Sequence, residues 1–230
     1  MQIVTLSLFR FGPVRDRLWA FAQMGLARPP LRRIDGLSFW KLLGSGTGEG
    51  FTPVPNTGVY AILCAWRDRE AARVGLDAPV FRRYATRARE VCTLVLTTLS
   101  ARGAWAGQTP FTDGPDHDGP LAALTRATVK PRNVLRFWRR VPDISRMIGA
   151  NDDVRMKIGV GEVPFLHQVT FSIWPDSDVM ANFARRSGPH AAAIRAVRDG
   201  DWFAEELYAR FRVADATGRW QGRPIQEVLR

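Results

Sequence analysis

Along this chain apolar residues recur with two different periods. In "IVTLSLF" (3–9) and "HQVTFSIW" (167–174) they alternate with polar ones, the pattern of a strand with one buried face. "VYAILCAW" (59–66) and "VCTLVLTTLS" (91–100) are more continuously apolar but only strand length. Elsewhere the period lengthens to that of a helix. "RDRLWAFAQMGLA" (15–27) puts Leu18, Phe21, Ala22 and Leu26 on one face, with Pro29 and Pro30 as the stop. "PRNVLRFWRRV" (131–141) does the same with Val134, Phe137, Trp138 and Val141 before Pro142.

These elements are written twice, with a period of about 110 residues. "FWKLLGSGTGEGF" answers to "MKIGVGEVPF": each holds a lysine (Lys41, Lys157), spaced glycines and a glutamate (Glu49, Glu162). "GVYAILCAWRD" answers to "LHQVTFSIWPD". The helical "REAARVGLDAPVFRRYATRARE" answers to "DVMANFARRSGPHAAAIRAVRD", and each half closes with a strand and a related tail, "SARGAWAG" and "DATGRWQG". Each unit reads β-α-β-β-α-β, the ferredoxin-like order. The expected fold is α+β: two tandem ferredoxin-like units whose open sheet faces pack together, a dimeric α+β barrel within one chain. The expected boundaries are a first unit over 1–107, a linker over 108–119, a second unit over 120–222 and a tail over 223–230. "DWFAEELYARF" (201–211) is expected to begin another helical turn, with Asp201 as its cap.

Composition narrows the function. Thirty-three Lys and Arg against 22 Asp and Glu give a formal charge of +11, which favours anionic partners: phosphates, lipid headgroups or carboxylate-bearing cofactors. Zinc-finger spacing and aromatic RNA-binding signatures are absent, so nucleic acid is not the expected partner. "GSGTGEG" lacks the Gly-Lys-Ser ending and following helix of a phosphate loop, and reads as a hairpin or lid. No apolar run reaches membrane-spanning length. The first residues have neither the basic start nor the cleavage site of a secretory signal, so a cytoplasmic protein is expected. Cys64 and Cys92 fall in strand-like runs and read as buried thiols.

The histidines carry the candidate chemistry. His117 sits among aspartates and glycines in the linker and reads as solvated. His167 shares a strand face with Val169, Phe171 and Ile173. In "SGPHAAAIRAV" Ser187 or Gly188 can cap a helix, Pro189 suits its first turn, and His190 falls on the face of Ala193, Ile194 and Val197. Aligning Pro189 with Pro79 puts His190 where the first unit has Val80. An inward histidine there admits three readings: a core residue, a general base or proton shuttle, or a metal or haem ligand.

Five long strings, "LWAFAQMGLARPPL", "FWKLLGSGTGEGFTPVPNTGVYAIL", "LTRATVKPRNVLRFWRRVPDISRMIG", "KIGVGEVPFLHQVTFSIWPD" and "GPHAAAIRAVRDGDWFAEELYARF", resemble the spheroidene monooxygenase family, the acyclic carotenoid 2-ketolases, over nearly the whole chain. The resemblance implies an oxygenase that carries haem b and uses molecular oxygen to place a keto group at C-2 of spheroidene. Two successive hydroxylations and loss of water would give the ketone, with ferredoxin as electron donor. It implies His190 as proximal haem ligand, His167 as the alternative, and Arg126, Lys130, Arg132 and Arg195 as partners of the haem propionates. Ser145 and Arg146 are candidates for contact with bound oxygen. It also implies peripheral contact with the inner or photosynthetic membrane; a homo-oligomer is compatible with it. The rival readings are a non-catalytic barrel binding haem or lipid, and a cofactor-independent monooxygenase of the same fold.

Overall fold

The computed structural model describes residues 1–48, 50, 52–139, 153–185 and 201–230. The chain runs β1 (Ile3–Arg10), α1 (Val14–Leu26), α2 (Arg28–Leu31), β2 (Leu37–Gly46), β3 (Pro55–Trp66), α3 (Arg69–Leu76), α4 (Pro79–Arg87) and β4 (Glu90–Gly103). Then follow β5 (Leu121–Val129), a 3-10 turn (Pro131–Asn133) leading into helical residues 134–139, β6 (Met156–Gly161), β7 (His167–Trp174), α5 (Ser177–Arg185), β8 (Phe203–Trp220), β9 (Arg223–Pro224) and α6 (Ile225–Val228).

All pairings are antiparallel, in the order β4-β1-β3-β2-β6-β7-β5-β8-β9. β4 also pairs with β8, so eight strands close into a barrel. The two halves have matching strand orders: β4-β1-β3-β2 and β8-β5-β7-β6. Their two joints differ greatly. β4 and β8 stay paired from Cys92↔Gly218 to Gly103↔Leu207, whereas β2 and β6 meet only at Gly44↔Gly161 and Ser45↔Val160.

Period-two alternation explains the filling. Val4, Leu6 and Leu8 of β1, Leu124 of β5, Phe171 of β7 and Phe211 of β8 all point inward and pack into one core. The linker takes part. Phe111 is buried against Phe39 and Phe211, with ring centroids 6.3 and 5.3 Å away, and the Gly114 amide donates to the Thr98 carbonyl. The tail is likewise packed, through the fully buried Ile225.

A second core covers the outer face of the first half. Phe9, Leu42, Tyr60, Ile62, Cys64 and Trp66 project outward from the sheet, and Val80, Phe81 and Tyr84 of α4 pack on them. Asp68 caps α3 by accepting from the Ala71 amide at 2.8 Å. Gly75 lets α3 lie directly on Trp66, where a Cβ would stand 2.1 Å from the indole ring. Cys64 and Cys92 are free and buried on opposite faces of the sheet. Burial pushes the Cys92 thiol up to about 12.

Three features depart from the sequence pattern. The stretch from Asp201 is not helical: 203–220 form the long strand β8, because Leu207, Ala209, Phe211 and Val213 alternate into the barrel. Asp201 instead takes a left-handed φ of 47° and pairs with Lys130. In α1 the apolar face points away from the sheet. Asp16, Ala20 and Gln23 are buried, while Leu18, Phe21 and Leu26 are exposed. Nor do Pro29 and Pro30 end the helical path, since both fit the first turn of α2.

Because Phe111 plugs the barrel, Phe111→Ala is expected to lower stability by about 3 kcal/mol in a chemical-denaturation titration. A linker detached from the core would show almost no change.

Candidate active site

The inner row of the barrel turns polar at one end. Lys41 lies between Phe39 and Leu43 on β2, Glu162 just beyond β6, and His167 begins β7; Arg126 and Glu205 come from β5 and β8. The Lys41 Nζ donates to Glu162 Oε1 at 2.9 Å, and Trp105 Nε1 donates to Glu162 Oε2 at 2.6 Å. His167 Nδ1 stands 3.7 Å from the same Oε2, beyond hydrogen-bond reach, and has no hydrogen-bond partner among the described residues. Arg126 pairs with Glu205 and lies with its Cζ 5.7 Å from the centre of the Trp105 ring.

Each charge has a physical cause for its state. Burial raises the Glu205 carboxyl, but the amides of Gly107 and Ala106, at 2.7 and 2.9 Å, together with Arg126 outweigh it and hold the group below the usual carboxylate range. For His167, burial is the largest influence and lowers its pKa. Glu162 opposes this, and Arg126 and Lys41 reinforce it, so the imidazole stays neutral further into the acid range than a free one.

Beside this cluster a cavity of 280 Å³ opens on the outer side of the β2–β6 joint. Phe21 and Met24 of α1 form one wall, Tyr60 contributes from β3, and Trp138, Val163 and Phe165 form the opposite wall. Glu162 and Gln168 supply polar atoms. The Trp138 indole is held by donation to the Phe165 carbonyl at 3.1 Å. Glu162 also borders a 400 Å³ pocket with Lys41 and Gln108. A groove of 830 Å³ beside α3 and α4 shares no residue with either; its walls carry exposed ion pairs such as Arg67–Asp35.

The outer face of the second half contrasts with that of the first. Its rows run Lys157–Ser172–Ala123 and Gly159–Thr170–Thr125, with Gln168 and Ala127 beside them. Gly159, Thr170 and Ser172 stand where the first half has Leu42, Ile62 and Cys64, whereas Trp174 answers to Trp66. Among the described residues no second outer core forms on it. Gln168 and Gly161 of this face also line the cavity.

The sequence candidates divide accordingly. Ser145, Arg146, His190, Arg195 and Glu49 lie outside the described residues. His167 faces the barrel interior, sharing its parity on β7 with Val169 and Phe171, and its side chain is 28% exposed. Arg126 is 2% exposed and faces inward with Leu124, because its parity on β5 matches the core residues; its charge is already met by Glu205. Lys130 and Arg132 both reach Asp201, Arg132 at 3.4 Å. The proposed equivalence of Lys41 and Lys157 fails, since Lys41 points inward and Lys157, between Met156 and Ile158, points outward. His117 is held locally, its Nδ1 2.8 Å from the Asp118 carbonyl oxygen. No group of three metal-ligating side chains occurs among the described residues.

No family model matches the chain. Curated relatives do. Spheroidene monooxygenase of Cereibacter sphaeroides is 51% identical, covering 100% of this chain and 72% of its own. The Rhodobacter capsulatus enzyme is 48% identical over 97% of this chain and 95% of its own, and that of Rubrivivax gelatinosus 34% identical over 96% and 86%. The chain belongs to the spheroidene monooxygenase family. Among solved structures, an aldoxime dehydratase superposes with a TM-score of 0.61 at 11% identity, over 93% of this chain and 82% of that one. Another, in complex with butyraldoxime, gives 0.60 at 11%, over 93% and 80%. The spheroidene monooxygenase fold is thus shared with enzymes of remote sequence. The sequence reading missed the Lys41–Glu162–Trp105 contacts in this family member. The inward parity of Lys41, between Phe39 and Leu43, was the available signal.

Since the folded-state pKa of His167 is lowered, the unfolded chain binds its proton first as pH falls. Stability is therefore expected to decline below about pH 6.5, the unfolded value, and to level off below the folded pKa. Urea titrations at pH 8 and 5.5 should show a smaller decline for His167→Gln than for the wild-type protein.

Proposed function

We propose that this protein is a carotenoid monooxygenase that converts the C-2 methylene of an acyclic carotenoid, spheroidene, to a ketone. The single observation that carries this reading is the match, over 96 to 100% of this chain, to three spheroidene monooxygenases. A cavity of 280 Å³ walled by Phe21, Met24, Tyr60, Trp138 and Phe165 agrees with it, being suited to one end of a long polyene rather than to the whole molecule. A first hydroxylation gives the alcohol; a second at the same carbon gives a gem-diol that loses water. Each hydroxylation consumes one molecule of oxygen, two electrons and two protons and releases one water. A ferredoxin is the proposed donor.

We further propose that the two halves are tandem ferredoxin-like units, with boundaries at 1–107, 108–119 and 120–222, an arrangement supported by their matching strand orders. In that arrangement His190 corresponds to Val80, which is buried on the outer face of the first sheet. His190 would then address the outer face of the second, whose middle carries the small side chains of Ala123, Thr125 and Thr170, and haem b is proposed to lie against them. The residues proposed to hold the group are His190 at the iron and Arg195, Lys130 and Arg132 at the propionates, with Ser145 and Arg146 toward oxygen. When bound, haem supplies the activation of oxygen that no side chain provides. The chain's own part is to keep one end of the polyene beside that face, through the aromatic walls of the cavity, and to exclude water from it.

Purified protein is expected to show a Soret band that shifts when carbon monoxide is added after reduction. His190→Ala should lose the band and the ketone product, whereas His167→Ala should keep the band. An unchanged spectrum with full ketone formation in His190→Ala would overturn the ligand assignment. Ketone formed by iron-free protein would favour a cofactor-independent reaction, and haem without product a binding protein.

A further inference from the structure

The anomaly in this fold is α1. Its positions 14, 18, 21 and 25 share one face, and Val14, Leu18 and Phe21 on it are 69, 65 and 67% exposed; Leu26 at the edge is 66% exposed. A surface helix ordinarily turns such a stripe inward. Here the sheet is covered by the opposite side, and the apolar stripe is left outward.

Two further observations say what it meets. The stripe is continuous with the cavity, because Phe21 and Met24 form part of its wall. Across the cavity Val163 and Phe165 are also exposed, as is Val54 in the loop beside it. The segment from Val14 to Arg33 carries five arginines and one acid. That acid, Asp16, is buried and lies 3.4 Å from Arg87. The Arg15 side chain, beside the stripe, is 85% exposed. An apolar stripe edged with cations matches an anionic bilayer surface, where the side chains enter the acyl boundary and the guanidiniums meet phosphates. A second copy of this chain fits poorly, since it would set arginine against arginine on molecules that each carry +11.

We propose that α1 and the adjoining rim of the cavity dock on the surface of an anionic membrane, so that a lipid-dissolved substrate reaches the cavity without crossing water. No helix among the described residues is long and apolar enough to cross the bilayer, so the contact is peripheral. The purpose assigned to the contact rests on the carotenoid reading above; the contact itself does not.

The test is sedimentation of the full chain with vesicles of phosphatidylglycerol and phosphatidylcholine in equal parts, and with phosphatidylcholine alone. Binding is expected to the mixed vesicles, and to weaken in phosphatidylcholine and at high salt. The double variant Leu18→Glu, Leu26→Glu should bind at least tenfold more weakly with an unchanged melting temperature, because both positions are exposed and outside the cavity wall. Turnover of spheroidene supplied in vesicles should fall with it, while turnover in detergent micelles is retained. Failure of the wild-type chain to bind, or equal binding by the variant, overturns the docking surface. So does a wild-type dimer that the variant splits without changing vesicle binding, which would make a second copy the occupant. Binding without turnover of spheroidene in either medium would leave the surface standing and remove the carotenoid reading.

Discussion

The inner faces of the two half-sheets meet in one shared hydrophobic core, and the rest of the structure is arranged around it. Closure through β4 and β8 brings these faces together, and Leu6, Leu8, Leu124, Phe171 and Phe211 occupy the space between them. The 280 Å³ cavity lies outside that core, at a joint between strands. The two joints are unequal, and the cavity opens at the short one, where β2 and β6 share only two residue pairs.

The two outer faces have diverged in a complementary sense. On the first half, large side chains meet α3 and α4 and form a second hydrophobic core, which contributes stability. On the second, small and hydroxyl side chains hold the corresponding positions. The first outer face is thus packed by helices, whereas the middle of the second carries the small Ala123, Thr125 and Thr170. Within the charged cluster, Lys41 and Glu162 pair across the short joint from inside, and Arg126 pairs with Glu205 between β5 and β8. Its ion pairs are largely withdrawn from water, so removing one member strands the other at a cost of about 3 kcal/mol or more. We read it as a clasp that holds the mouth of the cavity in shape.

Much of this was legible beforehand. The repeat of "GVYAILCAWRD" and "LHQVTFSIWPD" foretold paired central strands, and alternation placed His167 beside Val169 and Phe171. The helical reading of residues 201–211 went wrong because "EELYARF" satisfies a helical period as readily as a strand period. Only the partner strands, β5 and β4, decide between them. The orientation of α1 was not legible for a related reason: amphipathicity shows that a helix has two faces, not which of them the sheet will accept.

What the sequence determined by itself was local: which residues share a face, where turns fall, and the family to which its long strings belong. The tertiary structure alone decided the pairing of Lys41 with Glu162 across 121 residues, the inward burial of Arg126, and the outward turn of the apolar stripe on α1. The reason is physical. Side-chain periodicity follows from the backbone geometry of a single element, whereas burial and charge pairing depend on which distant element arrives to cover it.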